Sequence, residues 1–253
     1  MSNLSIVLLF LVALLVLSIV FYRQFFKRFW DILLSGLAII ILSPIFLILT
    51  ILGRIKMKGS PFFVQARPGK KDKNGKEKIF SLLKFRSMTE EKDEAGNYLP
   101  DDIRLTKYGK TIRSTSLDEL PELFNVFKGD MSIVGPRPQL VRDMVFMTEE
   151  QRKRHDVFPG LTGLAQINGR NAISWEDKLN KDLEYIKDIS FFGDIKIILQ
   201  TALKVLKRDG ITEEGESTAT DFGDYLLETE KITKERYDRL QEKARDLLKN
   251  GKQ

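Results

Sequence analysis

The sequence predicts an α+β fold, mostly helical and membrane-associated, with a re-entrant helix, a small β-hairpin and amphipathic interfacial helices. Three observations carry this. Two long apolar runs, residues 4–22 and 32–52, open the chain; two strand-like stretches flank Asn74-Gly75; and from about residue 114 apolar side chains recur at helical spacing.

With 253 residues, 43% hydrophobic and 30% charged, the chain is long enough for one globular domain plus a membrane-embedded part. It contains no cysteine, which excludes a disulfide framework and a thiolate zinc site and suits a reducing, cytoplasmic setting. A net charge of +6 points to an anionic partner: nucleic acid, acidic lipid headgroups or a phosphorylated substrate.

Residues 4–22 (LSIVLLFLVALLVLSIVFY) carry no charge and are long enough to cross a bilayer core, so 1–23 is read as a transmembrane helix. A cleaved signal peptide competes with this reading, but MSNLS has no basic n-region and no small-residue cleavage pattern precedes Arg23. The second run is flanked by Arg23, Lys27 and Arg28 on one side and Arg54, Lys56 and Lys58 on the other. Both flanks favour the cytoplasm, so 24–58 is read as a helix that enters the membrane and turns back at Ser43-Pro44; a kinked but complete second span is the alternative.

Residues 59–209 are expected to form a cytoplasmic catalytic domain. Its first part, SPFFVQARPGKKDKNGKEKIFSLLKFRSM, reads as two strands joined by a basic turn. Helical patterns follow over 114–127, roughly 144–155, 174–187 with a Ser-Trp-Glu-Asp capping signal, and 193–207. In the last, Ile195, Ile198, Leu199, Ala202, Leu203 and Leu206 form an apolar stripe bracketed by lysines, suited to a membrane surface and equally to core packing. Residues 210–253 are read as a charged linker (210–224) and a solvated or partner-binding C-terminal helix (231–252).

The stretch TIRSTSLDELPELFNVFKGDMSIVGPRP, residues 111–138, holds the candidate chemistry. Ser116-Leu117-Asp118-Glu119 has the spacing of a capping box, in which Glu119 only reaches back to the Ser116 amide, and acids in a first helical turn are stabilised by the helix dipole. The functional reading is different: an aspartate can attack phosphorus, and an adjacent glutamate can hold Mg²⁺ bridging to substrate phosphates. Side chains of neighbouring helical residues point about 100° apart, so the two acids would have separate roles. Lys84, Arg113 and Arg137 are the candidate cations for a diphosphate, Arg137 being pinned between Pro136 and Pro138. The glycine-rich PGLTGLAQINGR, residues 159–170, is a candidate for anion-binding backbone nests but matches no P-loop.

Beyond these, FKRFWDILLS with its Ser43-Pro44 break, FFVQARPG, KIFSLLKFRSM, the 111–138 stretch, RHDVFPGLTGLAQINGRNAISWEDK and DISFFGDIKIILQTALKVLKRDG together resemble the monotopic phosphoglycosyl transferases of the bacterial sugar transferase family. Small members of that family include the undecaprenyl-phosphate diacetylbacillosamine-phosphate transferases. The resemblance covers roughly residues 24–215; the span at 4–22 and the tail after 215 depart from it.

The resemblance implies transfer of a sugar-1-phosphate from a UDP-sugar to polyprenyl phosphate with release of UMP, through a covalent aspartyl intermediate. Asp118 then matches the nucleophile and Glu119 the Mg²⁺ ligand. Lys84, Arg113 and Arg137 match the basic residues expected near the diphosphate, and Asp182 lies in a further motif on the substrate side. The implied setting is the bacterial inner membrane with the catalytic domain on its cytoplasmic face, in contact with membrane lipids; a homo-oligomer is compatible with the sequence. A Mg²⁺-dependent phosphohydrolase using the same aspartate, or a non-catalytic basic membrane-tethered protein, would fit the charge as well. A nucleic-acid partner is not expected, because aromatic and basic residues do not interleave as stacking platforms.

Overall fold

The apolar opening of the chain forms α1 (Asn3–Val20), and a single π-helical turn, Tyr22–Phe26, joins it to α2 (Lys27–Ile41). The computed structural model describes residues 3–57, 59–169, 173–207 and 220–250. Helical segments Val7–Val20 and Tyr22–Ile41 meet at 90°. No single helix among the described residues is long and apolar enough to cross a membrane, whereas this bent pair meets the length and composition requirement together. A 90° bend therefore lies beside Phe21, ahead of the Ser43-Pro44 break at which the sequence predicts the chain to turn. The proline marks a further irregularity: Leu42 (φ −86°, ψ 2°) departs from helical dihedrals yet still donates to the Ala38 carbonyl at 2.8 Å and accepts the Phe46 amide at 3.0 Å, and α3 (Ser43–Lys56) follows with Pro44 in its first turn, where a missing N–H is tolerated.

Large apolar side chains on these helices, among them Phe10, Phe25, Ile40, Ile41, Leu47 and Ile55, are exposed, while the polar Ser18, Asp31 and Ser35 are buried. Tyr22 donates a hydrogen bond to Asp194 Oδ2 at 2.7 Å, and Lys27 pairs with the same oxygen. Arg28 donates to the carbonyls of Val126 and Met131, each at 2.8 Å, and Asp31 accepts the Ile133 amide at 2.9 Å. Such partners are what burial of charged groups requires. They fix α2 against the segment that carries the site.

The hairpin forms as expected. β1 (Phe62–Lys71) pairs antiparallel with β2 (Glu77–Phe85), Val64 facing Leu83. At the turn the Asp72 carboxylate accepts the amides of Asn74 and Lys76, and Gly75 takes φ 75°, a left-handed value favoured by glycine. A short α4 (Asp101–Arg104) and α5 (Lys107–Ser114) follow, the latter capped by Thr106 accepting the Gly109 amide.

The expected helix over 114–127 is divided. Ser116 adopts a left-handed conformation (φ 55°), residues Leu117–Glu119 make one 3₁₀ turn, and α6 (Glu122–Lys128) begins only after Pro121. The expected helix over 144–155 is likewise divided, into α7 (Val141–Met144) and a 3₁₀ segment (Gln151–Asp156), because Thr148 and Gln151 cap each other's amides between them. α9 (Trp175–Lys187) starts at Ser174, whose hydroxyl accepts the Asp177 amide as the capping signal predicts.

A second, parallel pair, β3 (Ser132–Val134) with β4 (Gly160–Thr162), was not foreseen. It explains two glycines in the stretch read as candidate nests. A Cβ on Gly160 would lie 2.1 Å from the Gly135 nitrogen, and one on Gly163 would lie 2.1 Å from the Gly135 oxygen. These glycines permit close backbone packing against the segment leading into Arg137. Residue 170, the end of that motif, lies outside the described residues, as do 171 and 172. β4 runs on into the short α8 (Leu164–Ile167).

α10 (Phe191–Lys207) divides its apolar stripe: Ile197 is buried and Ile198 packs beside it, while Phe192, Ile195, Leu199, Leu203 and Leu206 are exposed. The linker reading of 210–224 lies outside the described residues up to 219. Its last residues enter α11 (Phe222–Glu228), whose Phe222 is buried. α12 (Lys234–Asn250) is no free appendage. Its Ala244 joins Phe222, Val145, Phe146, Met147 and Leu179 in a core cluster.

Candidate active site

Local backbone geometry places the two acids. Ser116 in the left-handed region is uncommon for a non-glycine residue, and such strain persists where the surroundings enforce it. The turn it starts turns Asp118 and Glu119 toward a cleft of about 790 Å³ lined also by Arg113, Arg137 and Asp182. The capping box does not form: Ser116 makes no side-chain cap, and the Glu119 carboxylate is engaged elsewhere.

Glu119 Oε1 accepts hydrogen bonds from Lys84 Nζ at 2.9 Å and from Arg137 Nη2, while Oε2, among the described residues, has only Arg137 Nη1 at 3.4 Å. Burial works to raise the Glu119 pKa, but Arg137 and Lys84 outweigh it and hold the carboxyl well below the usual range. Glu119 is therefore anionic and immobile. Asp118, next in the chain, accepts no hydrogen bond from the described side chains. Burial, with the Glu119 charge beside it, pushes its pKa up to about 6 against the pull of Lys84, Arg113 and Arg137.

Lys84 is not on the cleft wall. It stands behind Glu119, 3.2 Å from Oε1 of the buried Glu122, at an angle that leaves both Glu122 oxygens without a hydrogen bond. Burial, reinforced by Glu119 and opposed by Lys84, pushes Glu122 up to about 7. The lysine acts on the cleft through Glu119. Arg113 is steadied by a 2.9 Å hydrogen bond from its Nε to Ser87 Oγ.

Asp182 belongs to a buried pair. Arg154 donates Nε at 2.9 Å and Nη2 at 2.6 Å to Asp182 Oδ2, and Nη2 also donates to the Arg137 carbonyl at 2.6 Å. Burial raises the Asp182 pKa and Arg154 opposes it. Asp182 thus reaches the site twice, from the cleft wall and through Arg154, which braces the Arg137 backbone.

Several residues escape a reading of the sequence. Arg154 and His155 lie in QRKRHD, which looks like a solvated charged run, yet both are buried, His155 3.2 Å from Glu77 and held down to about 4 by its burial. Arg67, in FFVQARPG, lines the cleft and donates to the Pro138 carbonyl at 3.1 Å; burial and the neighbouring Arg137 lower its pKa to about 10. The burial of Glu122 had one available signal, its helical spacing with Asn125 and Val126 on the same inner face.

Among the described residues no three His, Cys, Asp or Glu side chains cluster as a metal cage. Magnesium does not need one, because it binds through one or two carboxylates plus water and substrate phosphates. Glu119 fits that role with Oε2, the oxygen its cations leave least occupied, and its depressed pKa keeps it ionised.

The arrangement is an unclamped carboxylate beside a clamped one, with arginines on the rim, which suits attack on a phosphate ester. Comparison with known proteins identifies the family. The family model "Bacterial sugar transferase" matches residues 22–208. The chain is 48% identical over 196 residues to the uncharacterized sugar transferase EpsL of Bacillus subtilis, covering 78% of this chain and 95% of that protein. It is 44% identical to the UDP-glucose:undecaprenyl-phosphate glucose-1-phosphate transferase of Klebsiella pneumoniae, over 71% of this chain and 40% of the relative. To the undecaprenyl-phosphate galactose phosphotransferase of Salmonella typhimurium it is 36% identical, over 74% of this chain and 42% of the relative. It thus spans nearly all of EpsL and about two fifths of the two larger enzymes. A match running from the bend at Tyr22 to the end of α10, and enclosing Asp118, Glu119, Arg137 and Asp182, places this chain in the bacterial sugar transferase family.

Proposed function

We propose that this protein transfers a sugar-1-phosphate from a UDP-sugar to undecaprenyl phosphate and releases UMP, with Asp118 as a covalent nucleophile. The observation that carries the roles is the contrast between the two acids: Glu119 is bonded to Lys84 and Arg137, whereas Asp118 accepts nothing from the described side chains. The names of the relatives support the substrate classes.

In the first step an Asp118 carboxylate oxygen attacks the β-phosphorus. The bond from that phosphorus to the bridging oxygen breaks, and UMP departs with the electron pair. In the second step an oxygen of the lipid phosphate attacks the same phosphorus, the bond to Asp118 breaks, and a lipid diphosphosugar forms. Neither step needs a proton relay. The chain's work is placement and charge: Arg113 and Arg137 face the diphosphate, and Lys84 keeps Glu119 fixed and ionised. Glu119 would hold a magnesium ion, which supplies neutralisation of the phosphate charge when bound.

The exposed apolar side chains of α1 to α3, and the outward stripe Phe192, Ile195, Leu199 and Leu203 on α10, support a membrane-seated domain. In this reading 1–23 and 24–58 are membrane helices, the latter re-entrant, 59–209 is the cytoplasmic catalytic domain and 210–253 is its C-terminal appendix. The site then meets a lipid phosphate confined to the headgroup layer of the bacterial inner membrane.

The test is a reaction without acceptor. Full-length protein given UDP-sugar and Mg²⁺ but no lipid phosphate should release at most one equivalent of UMP and gain the mass of a sugar-phosphate on Asp118. Undecaprenyl phosphate should discharge it. No adduct and no UMP before lipid is added would refute the covalent route.

A further inference from the structure

The family match ends at residue 208, but the wall of the cleft does not. Thr220 and Asp221, both beyond the match, line the cleft together with Trp175 and Lys178 of α9. This stretch of the tail is held from three sides. Trp175 donates its Nε1 to the Thr220 carbonyl at 3.0 Å, and its ring packs on that of Phe222 with centroids 5.0 Å apart. Asp221 pairs with Arg142 of α7. The Phe222 amide donates to Asp143 Oδ1 at 2.9 Å, and Oδ2 of the same buried carboxylate accepts the Leu140 amide at 3.3 Å. Leu140 is itself a cleft residue three positions after Arg137, so one carboxylate ties the tail to the turn that follows the arginine. Behind the wall, Phe222 shares a core cluster with Ala244 of α12.

The chemistry of this wall selects what it can face. An isoprenoid chain laid against Thr220, Asp221 and Lys178 would strip water from polar groups and return no hydrogen bond. A diphosphate is drawn to Arg113 and Arg137 and repelled by the acids Asp143 and Asp221. What remains is the uncharged part of a nucleotide sugar, whose rings carry hydroxyl groups. We infer that the tail segment Thr220–Asp221, with Trp175, is a specificity-determining part of the site that holds the UDP-sugar outside its diphosphate, an inference that rests on the transfer reaction proposed above. The tail then sets affinity for the nucleotide sugar and not for the lipid phosphate. The nucleoside and the transferred sugar offer the same ring chemistry.

The experiment uses full-length protein in lipid nanodiscs, UMP release as readout, and whichever of UDP-glucose, UDP-galactose or UDP-N-acetylgalactosamine the wild type turns over. Asp221→Ala removes the charged wall residue without removing a helix cap, since its side chain makes none. Trp175→Phe keeps a ring beside Phe222 and removes the bond to Thr220. Each should raise KM for the UDP-sugar about five- to tenfold, the worth of one hydrogen bond, with kcat/KM for undecaprenyl phosphate within about twofold. Inhibition by UMP separates the two ring sources: weakening by the same factor assigns the nucleoside, and no change assigns the transferred sugar. Unchanged KM in both variants overturns the inference, and so does an equal fall in kcat/KM for both substrates, which marks only lost folded protein. Should neither variant fold, hydrogen exchange on the wild type decides: the UDP-sugar should slow amide exchange at the start of α11 and undecaprenyl phosphate should not, while no slowing by the UDP-sugar overturns the inference. A wild type that releases no UMP from any of the three sugars sinks the transfer reaction and this inference with it, whereas turnover with unaltered variants sinks this inference alone.

Discussion

Arg137 grips Glu119 with both terminal nitrogens, one on each carboxylate oxygen. This ion pair divides the labour between adjacent acids, because a carboxylate committed to a guanidinium and to Lys84 is a poor nucleophile, while its unbonded neighbour is a good one. Asp118→Asn should abolish UMP release, and Glu119→Gln should retain a small rate and require more Mg²⁺. Measuring UMP against Mg²⁺ concentration for both variants checks this. Turnover by the Asp118 variant near the wild-type rate would reverse the assignment.

The pH profile follows from the same pair. Asp118 must be ionised to attack, and its pKa stands at about 6, raised by burial first and then by Glu119. kcat/KM should therefore climb as pH rises through about 6, where an ordinary aspartate would already be ionised at about 4. In Glu119→Gln the like charge is gone and two cations are released, so the limb should move to lower pH. A limb that stays in place would mean another group controls the rate.

A raised carboxylate pKa is also a stability statement. The folded state favours the protonated form of Asp118, so its ionisation costs stability that is absent below about pH 4 and grows up to about pH 6. Asp118→Asn should therefore unfold later than wild type at pH 7.5, by roughly 1 kcal/mol after allowance for solvent screening. A differential scan in nanodiscs reads the sign. Activity and stability are expected to move in opposite directions.

Arg154 illustrates what sequence pattern hides. The hairpin, the Ser174 cap and the break before Ser43-Pro44 were legible because each depends on residues within a few positions of one another. Asp118, Glu119 and Arg137 were singled out by chemistry and by a long motif, and the structure brings all three to one cleft. The burial of Arg154 and His155, the β3–β4 pair and the docking of Phe222 all depend on partners far along the chain, and neither periodicity nor charge reports them. The divided helix over 114–127 is intermediate: Pro121 was visible, but the left-handed Ser116 is imposed by the fold.

Removing Arg154 should be severe, because Asp182 would be left buried without its cation and the Arg137 carbonyl without its donor. Arg154→Met is expected to cost about 3 to 5 kcal/mol, as breaking a buried pair does. Denaturant titration measures it. The double variant Arg154→Met with Asp182→Leu should recover part of that loss while remaining inactive.

Gly160→Ala tests whether close backbone packing, rather than an anion nest, explains the glycine-rich stretch. The added Cβ would fall 2.1 Å from the Gly135 nitrogen and 2.3 Å from the Thr162 oxygen, so β4 must move away from β3. Because Gly135 leads directly into Pro136-Arg137, the Arg137 guanidinium should shift with it. Turnover should drop at least about tenfold, since small misplacement of a catalytic group is costly. A variant with normal kcat would show that Arg137 is positioned without this contact.

Two features bear on the proposed membrane topology, the 90° bend beside Phe21 and the non-helical dihedrals of Leu42 before Ser43-Pro44. Tyr22, Lys27 and Arg28 are bonded to Asp194 and to the carbonyls of Val126 and Met131, so the start of α2 is held against the catalytic part. The end of α3 returns to the same part, since the Leu49 carbonyl accepts the Tyr108 hydroxyl at 3.1 Å and the next element is the hairpin. Both ends of the α2–α3 unit should then face one side of the membrane. The chain has no cysteine, so Gln24→Cys and Ser60→Cys can each be labelled without background. Membrane-impermeant maleimide should reach both from the cytoplasmic face and neither from the other. Pro44→Ala should lower that agreement by allowing the helix to continue past Leu42. Labelling of the two positions from opposite faces in the parent chain would establish a complete second span and remove the re-entrant reading.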